Sequence, residues 1–172
     1  MNAPTIPIQH VIKGATVLGG ELEFGPPGNR FTTPALNLND LVWPRQTPGP
    51  AFDVPLTEIM DILVGVGQWI RSDPDGLMAE ALNHSARMST LPRDVLARSY
   101  AHLPQIFDRR SMEFQVETEL GGADALDGWR VIKNAPSGRT HRIRAFPPRL
   151  VHVVAGNAPG VSAQTVMRGA LT

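Results

Sequence analysis

The chain has 172 residues, sixteen of them basic and sixteen acidic, and no cysteine. That length suits one ordinary domain and leaves little room for two. The charge balance excludes a global field that would draw the chain onto nucleic acid or an anionic membrane. The missing thiol excludes disulfides, Cys-ligated zinc and a thiolate nucleophile within these residues.

Leu, Ile, Val and Phe supply 45 residues, or 26%, above the roughly 20% below which a charged chain tends to stay disordered. Gly and Pro, sixteen each, predict many turns. The longest uncharged apolar stretch near a helix, Ile62 to Ile70, is far short of the ~20 residues a membrane span needs. Met1-Asn2-Ala3-Pro4 has no basic region leading into an apolar run, so no secretion signal is read there. The expectation is a soluble cytoplasmic protein with no nucleic-acid partner and no membrane span.

In chain order, Val11, Ile12, Ala15 and Val17, then Leu22 and Phe24, form short apolar runs about Gly19-Gly20 and predict a hairpin there. Gly25-Pro26-Pro27-Gly28 ends it. Asn29 to Pro55 reads as proline-rich loop, with a short helical turn around Asn39 to Trp43. Residues 1–55 are therefore expected to form an extended arm that packs over a body found elsewhere.

A helical block is predicted over 56–122. Thr57 is the expected N-cap of its first helix, with Glu58 in the first turn. Ile59, Ile62, Leu63, Val66 and Ile70 fall on one face at helical spacing, and Pro74 stops the helix. A second helix is expected from Leu77 to Arg87. A third opens near Thr90 with Pro92 in its first turn, and Pro104 is expected to break or restart it. The next helix runs to Leu120, where Gly121-Gly122 supplies the exit.

Residues 123–147 read as a β-hairpin, with strands at 129–133 and 139–146 about the turn Asn134 to Gly138. Leu150 to Ala155 is short, β-branched and almost wholly apolar, as expected of a strand buried on both faces. Gly156-Asn157-Ala158-Pro159-Gly160 then turns into a helix over 161–171. A buried strand feeding a helix is half of a βαβ unit, so the expected class is α/β, and the chain reads as the N-terminal part of a longer protein.

Such a turn places backbone N–H groups at the carboxyl edge of a sheet, where ligands bind in open α/β folds. Asn157 would add an amide donor suited to a developing oxyanion. A purely structural role, capping the helix or adopting the left-handed turn, is open to the same residue. Two neighbouring motifs fail. Gly160-Val161-Ser162 lacks the last Gly of a nucleophile elbow. Ser137-Gly138-Arg139-Thr140 has Arg in place of the phosphate-loop Lys, with Lys133 where the first Gly belongs. No G-x-G-x-x-G occurs. Arg139, His141, Arg142, Arg144 and Arg149 gather positive charge, read either as a phosphate patch or as a solvated hairpin face balanced by Glu113, Glu117, Glu119, Asp124 and Asp127. His10, His84, His102, His141 and His152 show no metal-ligand spacing, so no metal site is expected. His152 reads as a core residue of its strand.

The segment from Pro148 to Thr172 resembles the start of the coenzyme-binding part of the aldehyde dehydrogenase superfamily. More closely, it resembles the long-chain fatty acyl-CoA reductases of the bioluminescence type (LuxC-like). The likeness is carried by Leu150–Ala155, then Gly156-Asn157-Ala158-Pro159, then Arg168-Gly169. A softer similarity reaches back to about Leu56 and includes Glu119-Leu120-Gly121. It implies the N-terminal portion of an aldehyde dehydrogenase-like fold, with 148–172 opening the coenzyme-binding domain. It further implies NADPH-dependent reduction of a fatty acyl-CoA to the aldehyde through an acyl-thioester on a Cys. Asn157 would be the oxyanion donor, and Ala155, Gly156 and Ala158 would border cofactor or substrate. A homo-oligomer or an acyl-transfer partner is compatible with it. Gly160 departs from the larger apolar residue common after the Pro. The nucleophilic Cys, general base and ribose-binding Lys of family members come later than the matched positions, so these residues alone should be inactive. The other readings are a non-catalytic binding or assembly module and an aldehyde dehydrogenase acting oxidatively.

Overall fold

The computed structural model describes residues 5–44, 46–47, 49, 51–145, 152–154 and 158–171, with seven strands and seven helices among them. The class is mixed α/β. The chain divides into two units, Met1–Pro50 and Ala51–Thr172.

In the first unit the hairpin does not turn at Gly19-Gly20. It joins β2 (His10–Ile12) to β3 (Ala15–Val17) across Lys13-Gly14, with Ile12 opposite Ala15. Lys13 at φ 51° and Gly14 at φ 81° supply the positive φ at both central positions that a two-residue turn needs to follow the strands' twist. The Lys13 ammonium lies 5.1 Å from the centre of the Trp43 ring, within cation–π range. Gly19-Gly20 instead leads into β4 (Leu22–Phe24), which pairs with β5 (Phe31–Thr33), a strand where the sequence pattern predicts loop. Three residues ahead of Pro34 are too few to show alternation. β1 (Ile6–Pro7) adds to the far side of β5 in parallel, so the order is β1-β5-β4. Phe24 and Phe31 face each other across the pair, ring centres 5.5 Å apart. Helix α1 (Leu38–Leu41) falls where a helical turn is expected, started by Asn37 Oδ1 accepting the Asn39 N–H at 3.1 Å.

The second unit is a helical block with a hairpin. Helix α2 (Leu56–Ser72) starts one residue before the expected cap. Pro55 is the N-cap, and the Leu56 N–H donates to Asp127 Oδ1 at 2.8 Å, so the cap comes from a side chain 71 residues away. The buried face is Leu56, Met60, Leu63 and Gly67, rotated from the face expected on apolar spacing; Ile62 is 64% exposed and Val66 is exposed too. Apolar residues surround much of this helix, so which stripe is buried depends on where its neighbours lie. Asp73 ends the helix at φ 40° and, through Oδ1 and Oδ2, caps α3 (Leu77–Met88) by accepting from Met78 and Ala79.

Helix α4 (Arg93–Ile106) runs through Pro104 rather than breaking there. Proline removes the N–H that would bond Tyr100 C=O, but Pro104 lies in the last turn, where little helix remains to disturb. Asp108 then caps α5 (Arg109–Leu120), and Gly121, at φ 71°, ends it as expected. Helix α6 (Asp124–Asp127) has no counterpart among the expected elements. The predicted hairpin is present as β6 (Arg130–Lys133) and β7 (Thr140–Ile143), Arg130 opposite Ile143 and Lys133 opposite Thr140. Ala145 N–H donates to Ala125 C=O at 2.7 Å, tying the hairpin's exit to α6.

The expected buried strand at Leu150–Ala155 is corrected in part. Residues 152–154 are irregular and exposed, Val153 at 96%. A strand of the parallel kind needs neighbours on both sides, and among the described residues no strand pairs with this run. Leu150, Val151 and Ala155 lie outside the described residues. Helix α7 (Pro159–Leu171) follows, and packs on α4 and α2. Its Met167 and Leu171 join Leu56, Met60, Leu63, Phe107, Met112 and Val116 in one core, in which Met112 is 0% and Met167 1% exposed.

Two glycines of α2 should respond with opposite sign. A Cβ on Gly67 would sit 2.8 Å from Phe107 Cβ and 3.2 Å from the Pro104 carbonyl oxygen, whereas one on Gly65 meets nothing within 4 Å. Gly65→Ala should therefore stabilise by up to about 1 kcal/mol, from helix propensity. Gly67→Val should destabilise by about 1–3 kcal/mol, through overpacking. Chemical denaturation of each variant reads both effects.

Candidate functional site

Helix α7 begins at Pro159, whose missing N–H is no loss in a first turn. Among the expected site residues Ala158 is described: it is exposed, immediately before the helix. Asn157, the expected oxyanion donor, lies outside the described residues, as do Ala155 and Gly156. Ala158 and Pro159 form a wall common to two cavities, one on each side of the helix start.

The first cavity, about 540 Å³, lies between α4, α5 and α7. Its polar side chains include Gln105, Gln115 and Gln164, above an apolar floor of Leu103, Ile106 and Met167. The second, about 400 Å³, lies between α3, α4 and α7 and holds the hydroxyls of Ser85, Tyr100 and Ser162 beside Met88 and Leu96. Ser85 Oγ and Tyr100 Oη are 2.7 Å apart, a short hydrogen bond in which one hydroxyl proton is used and the other stays available. His84 lines the same cavity: Nε2 is 3.4 Å from Glu80 Oε1, and Nδ1 is buried with no hydrogen-bond partner among the described residues. No Lys, Arg, Asp or Glu lines either cavity among the described residues.

The basic residues of the hairpin do not converge on these cavities. Both strands are open to solvent, and Arg144 stands over the Phe52 ring at 5.8 Å. Arg149 lies outside the described residues. The acidic residues upstream serve other cations: Glu119 pairs with Arg168 at 2.5 Å, Asp124 with Arg130 at 3.7 Å, and Glu113 with Arg109 at 3.6 Å. Among the described residues no ion pair engages Arg139 or Arg142. His152, expected in a core strand, is exposed, and its ring lies near Gly169. No group of three His, Asp or Glu suited to a metal occurs among the described residues, and no described helix is long and apolar enough to cross a membrane.

The Ser85–Tyr100 pair and the three glutamines are not singled out by sequence reasoning. The glutamines come from three helices, and only packing brings α4, α5 and α7 together. One signal is on view in the sequence: Tyr100 is the single tyrosine of the chain. No protein-family model matches the chain, and no curated protein or solved structure matches it.

If the hydroxyl pair acts as a unit, Tyr100→Phe should cost about 0.5–1.5 kcal/mol of stability. Ser85→Ala should then add much less in the Tyr100→Phe background than alone, and a double-mutant cycle by urea denaturation measures the coupling.

Proposed function

We propose that this chain is the N-terminal part of an NADPH-dependent reductase that converts a fatty acyl-CoA to its aldehyde. The observation that carries the reading is the position of Ala158-Pro159. They follow Gly156-Asn157 directly in sequence, stand at the start of α7, and separate two cavities whose described lining has no Lys, Arg, Asp or Glu. The family resemblance of the run Gly156-Asn157-Ala158-Pro159 supplies the chemistry.

In this reading Asn157 donates to the oxygen that becomes negative when the thioester carbonyl is attacked, and backbone at Ala155, Gly156 and Ala158 borders the reacting groups. NADPH, when bound, supplies hydride. Its neutral, carboxamide-bearing end would be held in this reading by the hydroxyls of Ser85, Tyr100 and Ser162, which line the second cavity. The same lining offers no Lys or Arg for its phosphates, which this reading assigns to a further part of the enzyme. The acyl group is carried on a thiol during the reaction, and these 172 residues contain no cysteine. The nucleophile, the general base and the ribose-binding Lys are therefore assigned to a further part of the enzyme. CoA leaves as the free thiol when the acyl-enzyme forms, and the enzyme thiol is regenerated when the aldehyde departs.

The test is acyl-CoA-dependent oxidation of NADPH by the complete polypeptide, with the aldehyde identified by mass spectrometry. Asn157→Ala should lower kcat by about 10² with little change in the KM for NADPH. Residues 1–172 alone should show no turnover. Undiminished turnover of the Asn157 variant removes that residue from the chemistry. Oxidation of aldehyde without reduction of acyl-CoA favours an oxidative aldehyde dehydrogenase, and inactivity in both directions favours a binding or assembly module.

A further inference from the structure

We infer that the cavity between α4, α5 and α7 is a subsite for a neutral, amide-bearing chain, the pantetheine arm that carries the thioester. The inference deepens the reductase reading and rests on it. Gln105, Gln115 and Gln164 come to this cavity from three different helices; Gln105 and Gln164 are exposed and Gln115 is half-buried, and among the described residues no hydrogen bond engages their side-chain amides. Each of these amides both donates and accepts. Ser99 Oγ donates to Val95 C=O at 3.2 Å and Ser111 Oγ donates to Asp108 Oδ2 at 3.2 Å. Both hydroxyls line the cavity with their protons already engaged, so what they offer a ligand is lone pairs.

That lining selects among chemistries. A phosphate or carboxylate would meet no Lys or Arg there, and His102 is the one ionisable side chain of the lining. A bare acyl chain would cover the glutamine amides without satisfying them, and unsatisfied buried amides are costly. A secondary amide chain gives N–H to the Ser oxygens and to the Gln carbonyls, and accepts from the Gln NH₂ groups. Its gem-dimethyl and methylene carbons suit the floor of Leu103, Ile106 and Met167. The volume, about 540 Å³, lies within the roughly 300–1,000 Å³ of small-molecule sites. Its far wall is Ala158-Pro159, at the start of α7, and the reductase reading puts the thiol end of such an arm there.

The same arm occurs on free CoA and on an acyl carrier protein. The experiment uses pantetheine, CoA, adenosine 3′,5′-bisphosphate and a phosphopantetheinylated carrier protein as separate probes. Each is titrated against the 172-residue chain, with amide chemical-shift mapping. Pantetheine and CoA should both shift Ser99, Gln115 and Gln164, and the bisphosphate should not. Carrier protein that shifts these residues more strongly than CoA identifies it as the source of the arm; the reverse identifies CoA. Gln115→Leu combined with Gln164→Leu should weaken pantetheine about tenfold, the loss of about two neutral hydrogen bonds. Absence of shifts with pantetheine at millimolar concentration, shifts confined to other residues, or equal binding by the double variant overturns the subsite. Failure of the two proposals is distinguishable. If acyl-CoA is reduced by the complete enzyme and the double variant keeps its KM, the subsite falls and the reductase stands. Pantetheine bound here without any acyl-CoA turnover leaves the subsite standing and removes the reductase.

Discussion

Burial of Met112 and Met167 in one apolar core is the constraint on which the second unit depends. Met112 is carried by α5 and Met167 by α7, and the core they share takes Leu56, Met60 and Leu63 from α2 and Phe107 from the end of α4. The two methionines are almost wholly removed from water. Burying such a side chain is worth about 1.5–3 kcal/mol each, and their flexible thioether chains fill the irregular space left where helices meet at different angles. With Met167 and Leu171 anchored, the opposite end of α7 is held against α4. That places Ala158-Pro159 between the two cavities.

The close approach of α2 to α4 is a second consequence of the same core. Gly67 leaves no room for a side chain against Phe107 and Pro104. The chain therefore gives up helix propensity at that position to bring Phe107 into the cluster. Polar groups secure the ends of the helices. Asp127 receives the first N–H of α2, Asp73 closes α2 and opens α3, and Asp108 opens α5. The site region differs in kind. Its polar side chains are amides, hydroxyls and the imidazoles of His84 and His102, and the Lys, Arg, Asp and Glu side chains sit elsewhere, in surface pairs such as Arg168–Glu119. Exposed pairs of that sort contribute about 0–1 kcal/mol. They orient surfaces more than they hold the fold.

The hairpin β6–β7 stands apart from this core. Trp129, Val131, Ile132 and Ile143 are exposed on or beside it. A two-stranded ribbon has little interior of its own. What anchors it to the block is Arg130, whose guanidinium donates to the carbonyls of Leu120 and Gly121, together with the Ala145–Ala125 hydrogen bond.

Local chemistry alone determined a good share of this protein. Helices α2, α3, α5 and α7 were legible because Pro74, Gly121 and Pro159 punctuate them, and the hairpin β6–β7 because two β-rich runs flank a turn at Asn134 to Gly138. These are properties of a few consecutive residues, and no distant contact is needed to read them. Other features were decided by the tertiary structure. The buried stripe of α2 is 56, 60, 63 and 67 because α4, α5 and α7 lie on that side. Strands β1 and β5 exist because each pairs with a partner many residues away, at lengths too short to show alternation. The apolar run at 152–154, by contrast, has the composition of a buried strand and no described neighbour to pair with, so its backbone is irregular. The cavities belong to the same class. Gln105, Gln115 and Gln164 have no relation along the chain, and they share a wall only after three helices have packed on one core.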